Sequence, residues 1–248
     1  MGKAKAKNPE ICPVSTVVDP ATGAPMNPWR YSGRPFTIGY AEVPAGNSIG
    51  WVKSGPFWVS LRTVCLGINW HDLNRLGFIS GRPIMIGGQH YLCRSVRVCE
   101  LPWIFGANLH DEEVWHWGKG YFWCWDDASE IPDDVEDFRP ASGFIFMGKS
   151  TTVKSTQPAG LGFRPVLEEL GPALPLEDIT TGHPVTLYGL GGSVSGRVVE
   201  VSGYDLVLDP WPGKLPQKKP WLMTMRGGLV AVDRSAILHI EDNKKEDK

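Results

Sequence analysis

The stretch that most constrains this chain is Trp115 to Trp125, WHWGKGYFWCW. It packs four tryptophans, a tyrosine, a phenylalanine, a histidine and a cysteine into eleven residues. No single helix or strand needs that many aromatic side chains to stay folded. Trp115, Trp117, Trp123 and Trp125 fall on odd positions, which on an extended backbone share one face. Gly118-Lys119-Gly120 then reads as a tight turn between two short aromatic strands or loops. Such a cluster seals a loop-rich core, lines a concave ligand site, or does both. If it lines a site, the candidate ligand contacts are Trp115, His116, Trp117, Lys119, Tyr121, Trp123 and Trp125, with Arg139 further on.

The surrounding composition sets the fold class. At 248 residues the chain can form one large domain or two modest ones. Its 29 glycines and 21 prolines suit short strands and many turns, so a mainly β fold with short helices (α+β) is expected. Nine of the 11 tryptophans lie between Trp29 and Trp125, and only Trp211 and Trp221 come later, which marks a change of domain. A net charge of −2 gives no global pull toward nucleic acid or an anionic membrane. Cys12, Cys65, Cys93, Cys99 and Cys124 form no CxxC pair, and an odd number of thiols points to free, mostly buried cysteines in a reducing compartment. Cys93 and Cys99 read as buried small hydrophobes rather than metal ligands. MGKAKAK has no apolar core of a signal peptide and Ala6 breaks the myristoylation pattern, so no membrane association is expected.

Taken in order, residues 1–30 read as a flexible lead-in that is then laid across the fold. Trp51 to Leu61 alternates like a strand around Gly55-Pro56. Asn69 to Gly77 predicts a short helix with Asn69 as N-cap and Gly77 as its end, leaving His71 at the surface. Gly81 to Arg94 predicts a β-hairpin: Ile84 to Ile86, a Gly87-Gly88 turn, then His90 to Arg94. A short acidic helix leads into the aromatic stretch. Its His110, Asp111, Glu112 and Glu113, with His116, match no metal-binding spacing, and the helix dipole accounts for the acids. Asp126 to Asp137 lacks the DxDxDG spacing of a calcium loop and reads as solvated. Gly143 to Met147 is an expected strand, residues 148–160 a polar loop, and Leu161 to Glu168 a closing strand.

The hairpin GRPIMIGGQHYLCR, the WHW…WCW segment and the closing GFRPVLE together resemble proteins encoded by phages and prophages of Gram-positive bacteria. Gly162-Phe163-Arg164 also resembles the end of the C-type-lectin-like fold shared by formylglycine-generating enzymes and retroelement-diversified variable proteins. The likeness covers about Trp51 to Leu170, within a domain taken as residues 31–170. It implies a rigid, Trp-rich body displaying variable loops, with Arg164 as a buried structural anchor. Formylglycine-generating enzymes use a cysteine pair near the end of the domain. Here the last cysteine is Cys124, well before GFRPVLE, and it reads as buried and inert.

After a Gly171–Leu176 linker (171–176) the aromatics thin out and β-branched residues take over. PVTLYGL, SVSGRVVEVSG, YDLVLDP, WLMTM and LVAVD/AILHIE read as five short strands. The second alternates, with Val194, Gly196, Val198 and Glu200 on one face and Ser195, Arg197, Val199 and Val201 on the other, and bends at Gly196 as a closed barrel requires. Residues 182 to 241 resemble the Sm-like barrel family, placing that domain at 177–241, ahead of a disordered tail (242–248). The resemblance implies ring assembly by edge pairing of strands four and five, hence a homo-oligomer. It also implies RNA contacts at Tyr204, Arg234 and Ser235, to which the lysines Lys214, Lys218 and Lys219 of a Pro-rich insertion add. A generic SH3-like docking barrel fits these residues equally.

No nucleophile–base pair, phosphate loop or metal constellation emerges, so the favoured reading is non-enzymatic and free of cofactors. It is a phage-related protein, in the host cytoplasm or virion-associated, that binds a small molecule, nucleotide, glycan or host protein with its lectin-like head. Counter-defence is one role such a protein would serve. The alternatives are an RNA-binding Sm-like oligomer and a virion structural or decoration protein.

Overall fold

The computed structural model describes residues 15–105, 112–116, 120–125, 138–143, 146–153, 159–211 and 219–243. It is mainly β, with several sheets and short helices. In chain order the strands begin with β1 (Thr16–Val18), β2 (Thr37–Gly39), β3 (Trp51–Ser54), β4 (Phe57–Ser60), β5 (Arg82–Ile86) and β6 (Gln89–Ser95). There follow β7 (Tyr121–Trp123), β8 (Phe138–Gly143), β9 (Phe146–Val153), β10 (Leu161–Gly162) and β11 (Pro165–Glu169). Last come β12 (Pro184–Gly189), β13 (Gly192–Val201), β14 (Asp205–Pro210), β15 (Leu222–Thr224), β16 (Val230–Asp233) and β17 (His239–Asp242). The helices are α1 (Trp70–Arg75), α2 (Leu101–Phe105) and α3 (Glu112–Trp115). Among the described residues no helix is long and apolar enough to cross a membrane.

Two compact units emerge: Met1–His71 with Ser95–Glu168, and Asp72–Arg94 with Glu169–Lys248. One boundary between the units falls between Glu168 and Glu169, and the β5–β6 hairpin groups with the second unit.

In the first unit, Gly55 (φ 57°) and Pro56 turn β3 back into β4, with Ser54 facing Phe57. β11 pairs antiparallel with β4. A separate sheet runs β10-β7-β8-β9, parallel between β10 and β7 and antiparallel elsewhere. The described part of the lead-in, from residue 15, lies in the body of the fold. β1 pairs with β2, and Ser15 and Thr16 are fully buried, so the chain joins the body from residue 15. Val52, Val59, Val96, Leu101, Ile104, Phe105, Trp115, Phe122, Cys124 and Val166 form one apolar core.

Three local expectations change. The strand placed at Gly143 to Met147 is two strand ends, since β8 stops at Gly143 and β9 starts at Phe146. The polar loop at 148–160 is strand as far as Val153, because ladder pairing with β8, not side-chain polarity, decides its backbone. The closing strand breaks into β10 and β11, with Phe163 exchanging backbone hydrogen bonds with Val64 between them. Cys99 also departs from its expected burial. It sits exposed on a 3-10 turn, Val98–Glu100, in which Glu100 turns inward to accept the Arg97 backbone N–H and leaves Cys99 outside.

In the second unit, Gly77 (φ 85°) ends α1. Its N–H donates to the Asn74 carbonyl and the Phe78 N–H to the Leu73 carbonyl, the paired bonds of a Schellman cap. Gly87 (φ 58°) and Gly88 (φ 83°) both adopt the left-handed backbone of a type I′ turn, and Ile86 faces Gln89 across the expected hairpin. The larger sheet has six antiparallel strands in the order β15-β16-β14-β13-β12-β17. The segment read as one final strand is two, β16 and β17, because Asp233 caps a 3-10 turn over Arg234–Ala236 by accepting the Ser235 N–H. On β13, Val194, Gly196 and Val198 face inward, but Glu200, expected on the same face, is exposed, because a register shift between Val198 and Glu200 breaks the alternation. A side chain at Gly196 would collide with the Asp209 carbonyl, so glycine is required where β13 crosses β14. The hairpin joins this unit through the Gly191 N–H, which donates to the Gly81 carbonyl (3.0 Å), and the Ser80 hydroxyl, which donates to the Gly191 carbonyl (2.6 Å).

Candidate functional site

The aromatic stretch resolves mainly into core. Trp115 ends α3, and Phe122, Trp123 and Cys124 are buried in succession. Trp115 therefore does not share one extended face with Trp123 and Trp125. The reason is local: helix α3 and strand β7 enter the same core from different backbone geometries. The Trp123 indole donates to the Ile68 carbonyl at 2.8 Å. Buried Trp115 packs edge-on against Phe105, with ring centroids 4.7 Å apart. Neither Trp115 nor Trp123 presents a surface to a ligand. Arg164 is fully buried among them, donating to the Trp115 and Leu61 carbonyls with its guanidinium over Phe122 and Phe105.

The remaining expected contacts scatter. Tyr121 is exposed at the start of β7. Trp125 is half-buried beneath the Arg97 guanidinium, 4.1 Å from its ring centroid. Arg139 lies on β8, facing Thr152 across the ladder. Trp117 and Lys119 lie outside the described residues, as do Lys214, Lys218, the acidic loop and the first fourteen positions.

His116 is the exception. Its backbone takes the left-handed conformation (φ 45°), uncommon for a residue with a side chain, and it lines a cleft of about 180 Å³. The other principal walls are Trp29, Ser48 and Arg62. The Trp29 indole donates to the Gly46 carbonyl at 2.7 Å, which fixes its ring against the turn Ala45–Asn47. The Arg62 guanidinium lies over that ring, 5.3 Å from its centroid. Among the described residues no carboxylate pairs with Arg62. The Ser48 hydroxyl donates to the Ala45 carbonyl at 2.7 Å and is therefore committed to the turn. The cleft thus offers a stacked cation, an indole and an imidazole, without an activated nucleophile. Trp29 and Arg62 were not singled out in the sequence, because thirty or more residues separate each from the other and from His116.

In the second unit Tyr204, Arg234 and Ser235 converge. The Arg234 N–H donates to the Tyr204 carbonyl at 2.9 Å, and Tyr204 is 85% exposed. The Arg234 guanidinium is nevertheless spent on the Ser202 carbonyl, and the Ser235 hydroxyl donates to Asp233 at 2.7 Å. Lys219 lies instead beside Gly191 and Trp221. β15 and β17 end the six-stranded sheet, and on β17 the Leu174 N–H donates to the Ile240 carbonyl at 2.9 Å.

No family model matches this chain, nor does any curated protein or solved structure.

Proposed function

We propose that this chain is a non-enzymatic ligand-binding protein whose site is the Trp29–Arg62–His116 cleft of the first unit. The observation that carries the reading is an Arg62 guanidinium stacked on a fixed indole, facing the cleft without a carboxylate partner among the described residues. At about 180 Å³ the cleft is smaller than the roughly 300 Å³ where whole-ligand sites begin, so it takes a head group rather than a cofactor. Guanidinium and imidazole beside an indole suit a carboxylate or phosphate carried on a sugar or other ring. This agrees with the head expected from the C-type-lectin-like resemblance, in which loops on a rigid body hold the ligand. The buried Arg164 and the return of β11 to β4 support that likeness. A phage-related role, inside the host or on the virion, is proposed on the resemblance alone.

A matched pair of rings tests the site. In an NMR titration of the full chain, glucuronate should bind at least about tenfold more tightly than glucose, since only the acid engages the guanidinium. Arg62→Ala should abolish the difference. Equal binding of acid and neutral sugar, or a difference unaffected by Arg62→Ala, would overturn the reading.

A further inference from the structure

We infer that the second unit carries a separate site for an organic phosphate of mononucleotide size, held by Lys219 and Arg75 over an apolar floor made by Trp221 and Leu190. These side chains, with Asn74 and Asp233, line a cavity of about 530 Å³, within the roughly 300–1,000 Å³ typical of small-molecule sites.

The lining sorts into an anchor and a floor. Lys219 is half-buried, and among the described residues its ammonium has neither an ion pair nor a hydrogen bond. The side chain lies along Gly191 and Gly192, where an added Cβ would stand 3.5 Å from Nζ and 3.2 Å from Cε respectively. Burial pulls its pKa below the ordinary lysine value, the direction expected of a partly desolvated ammonium that a bound anion would stabilise. Arg75 is 67% exposed and meets Asp72 at 3.0 Å, a surface pair too weak to withhold its remaining N–H groups. Among the described residues Asp233 is the one carboxylate in the lining, and it is turned to the Ser235 N–H (2.8 Å) and hydroxyl (2.7 Å).

The floor is rigid. The Trp221 indole donates to the Leu190 carbonyl at 3.0 Å, and its ring packs on Gly189, where a Cβ would stand 2.5 Å away. Leu190 remains 43% exposed beside it. An inorganic ion would leave that apolar surface and most of the volume unused. A phosphate on an organic body uses both the cations and the floor.

The probe is adenosine 5′-monophosphate, titrated calorimetrically into the full chain beside adenosine and inorganic phosphate. The monophosphate should bind at least about tenfold more tightly than either, and Lys219→Gln should weaken it by a similar factor. Arg75→Gln should weaken it less. Any weaker component of the isotherm that Arg62→Ala removes belongs to the cleft of the first unit, whereas the component that depends on Lys219 should persist in that variant, which separates the two sites. A thermal melt of Lys219→Gln should match the parent chain. The inference is overturned if adenosine binds as well as its monophosphate, if phosphate alone does, if no binding occurs, or if Lys219→Gln binds normally.

Discussion

The Arg164 guanidinium stands 5.3 Å from the centroid of the Phe122 ring and donates to the Trp115 carbonyl at 2.5 Å. One buried cation thereby ties the end of α3 to β7 and fixes the aromatic stretch as core. Arg164→Met keeps volume but removes the donors, leaving buried carbonyls unsatisfied. A loss on the order of 3 kcal/mol is expected in urea denaturation. A change near zero would show that the cation does not organise the stretch.

Trp123 is wholly buried and hydrogen-bonded, so truncation leaves both a cavity and an orphaned Ile68 carbonyl. Trp123→Ala should cost roughly 3–5 kcal/mol in the same assay. Tyr121→Ala, at the exposed end of the same strand, should stay within about 0.5 kcal/mol.

Gly196 lies against the Asp209 carbonyl at the crossing of β13 and β14. Gly196→Ala must push the two strands apart, and a loss of about 1–3 kcal/mol is expected. Gly203, where an added Cβ meets nothing within 4 Å, is the control.

Buried His239 lies 4.8 Å from His90 and 5.7 Å from Tyr188, ring to ring. Burial, with His90 second, lowers its pKa below the ordinary histidine value, against the opposing pull of Glu241. The unfolded chain therefore binds the proton more readily than the folded one. This contribution to stability is fully present above about pH 6.5 and is lost as pH falls through the lower folded value. The thermal midpoint should drop between pH 7.5 and 5, and the drop should shrink in His239→Phe. An unchanged slope in that variant would assign the effect to other groups.

Ring assembly of the Sm-like kind needs open edges on its last two strands. Here β15 and β17 end the sheet: among the described residues no strand pairs with the outer edge of β15, and the Leu174 N–H takes the Ile240 carbonyl on β17. Native mass spectrometry checks the assembly: a ring-sized species is the result expected if these edges pair between copies, and a monomer would show that they do not.

The parts legible in the sequence were those fixed by local rules. Gly55, Gly77, Gly87 and Gly88 each take a backbone that only glycine adopts readily, and the alternation gives strand and facing from Val194 to Val198, failing at Glu200 where the register with β14 shifts. What failed depended on partners distant in sequence. The odd spacing of the tryptophans suggested one face, but Trp115 sits on a helix whose formation the spacing cannot reveal. Residues 148–153 are polar yet form strand because β8 supplies the ladder. Lys219 and Arg75, like Trp29 and Arg62, are brought to shared cavities only by tertiary folding, so of the cleft only His116 could be named beforehand.

The most direct test of the central claim is the glucuronate titration of the parent chain beside Arg62→Ala and His116→Ala. Binding in the parent that is lost in Arg62→Ala, reduced in His116→Ala and absent for glucose is the predicted result. Binding indifferent to both substitutions, or to the carboxylate itself, would contradict the assignment of the cleft as the ligand site.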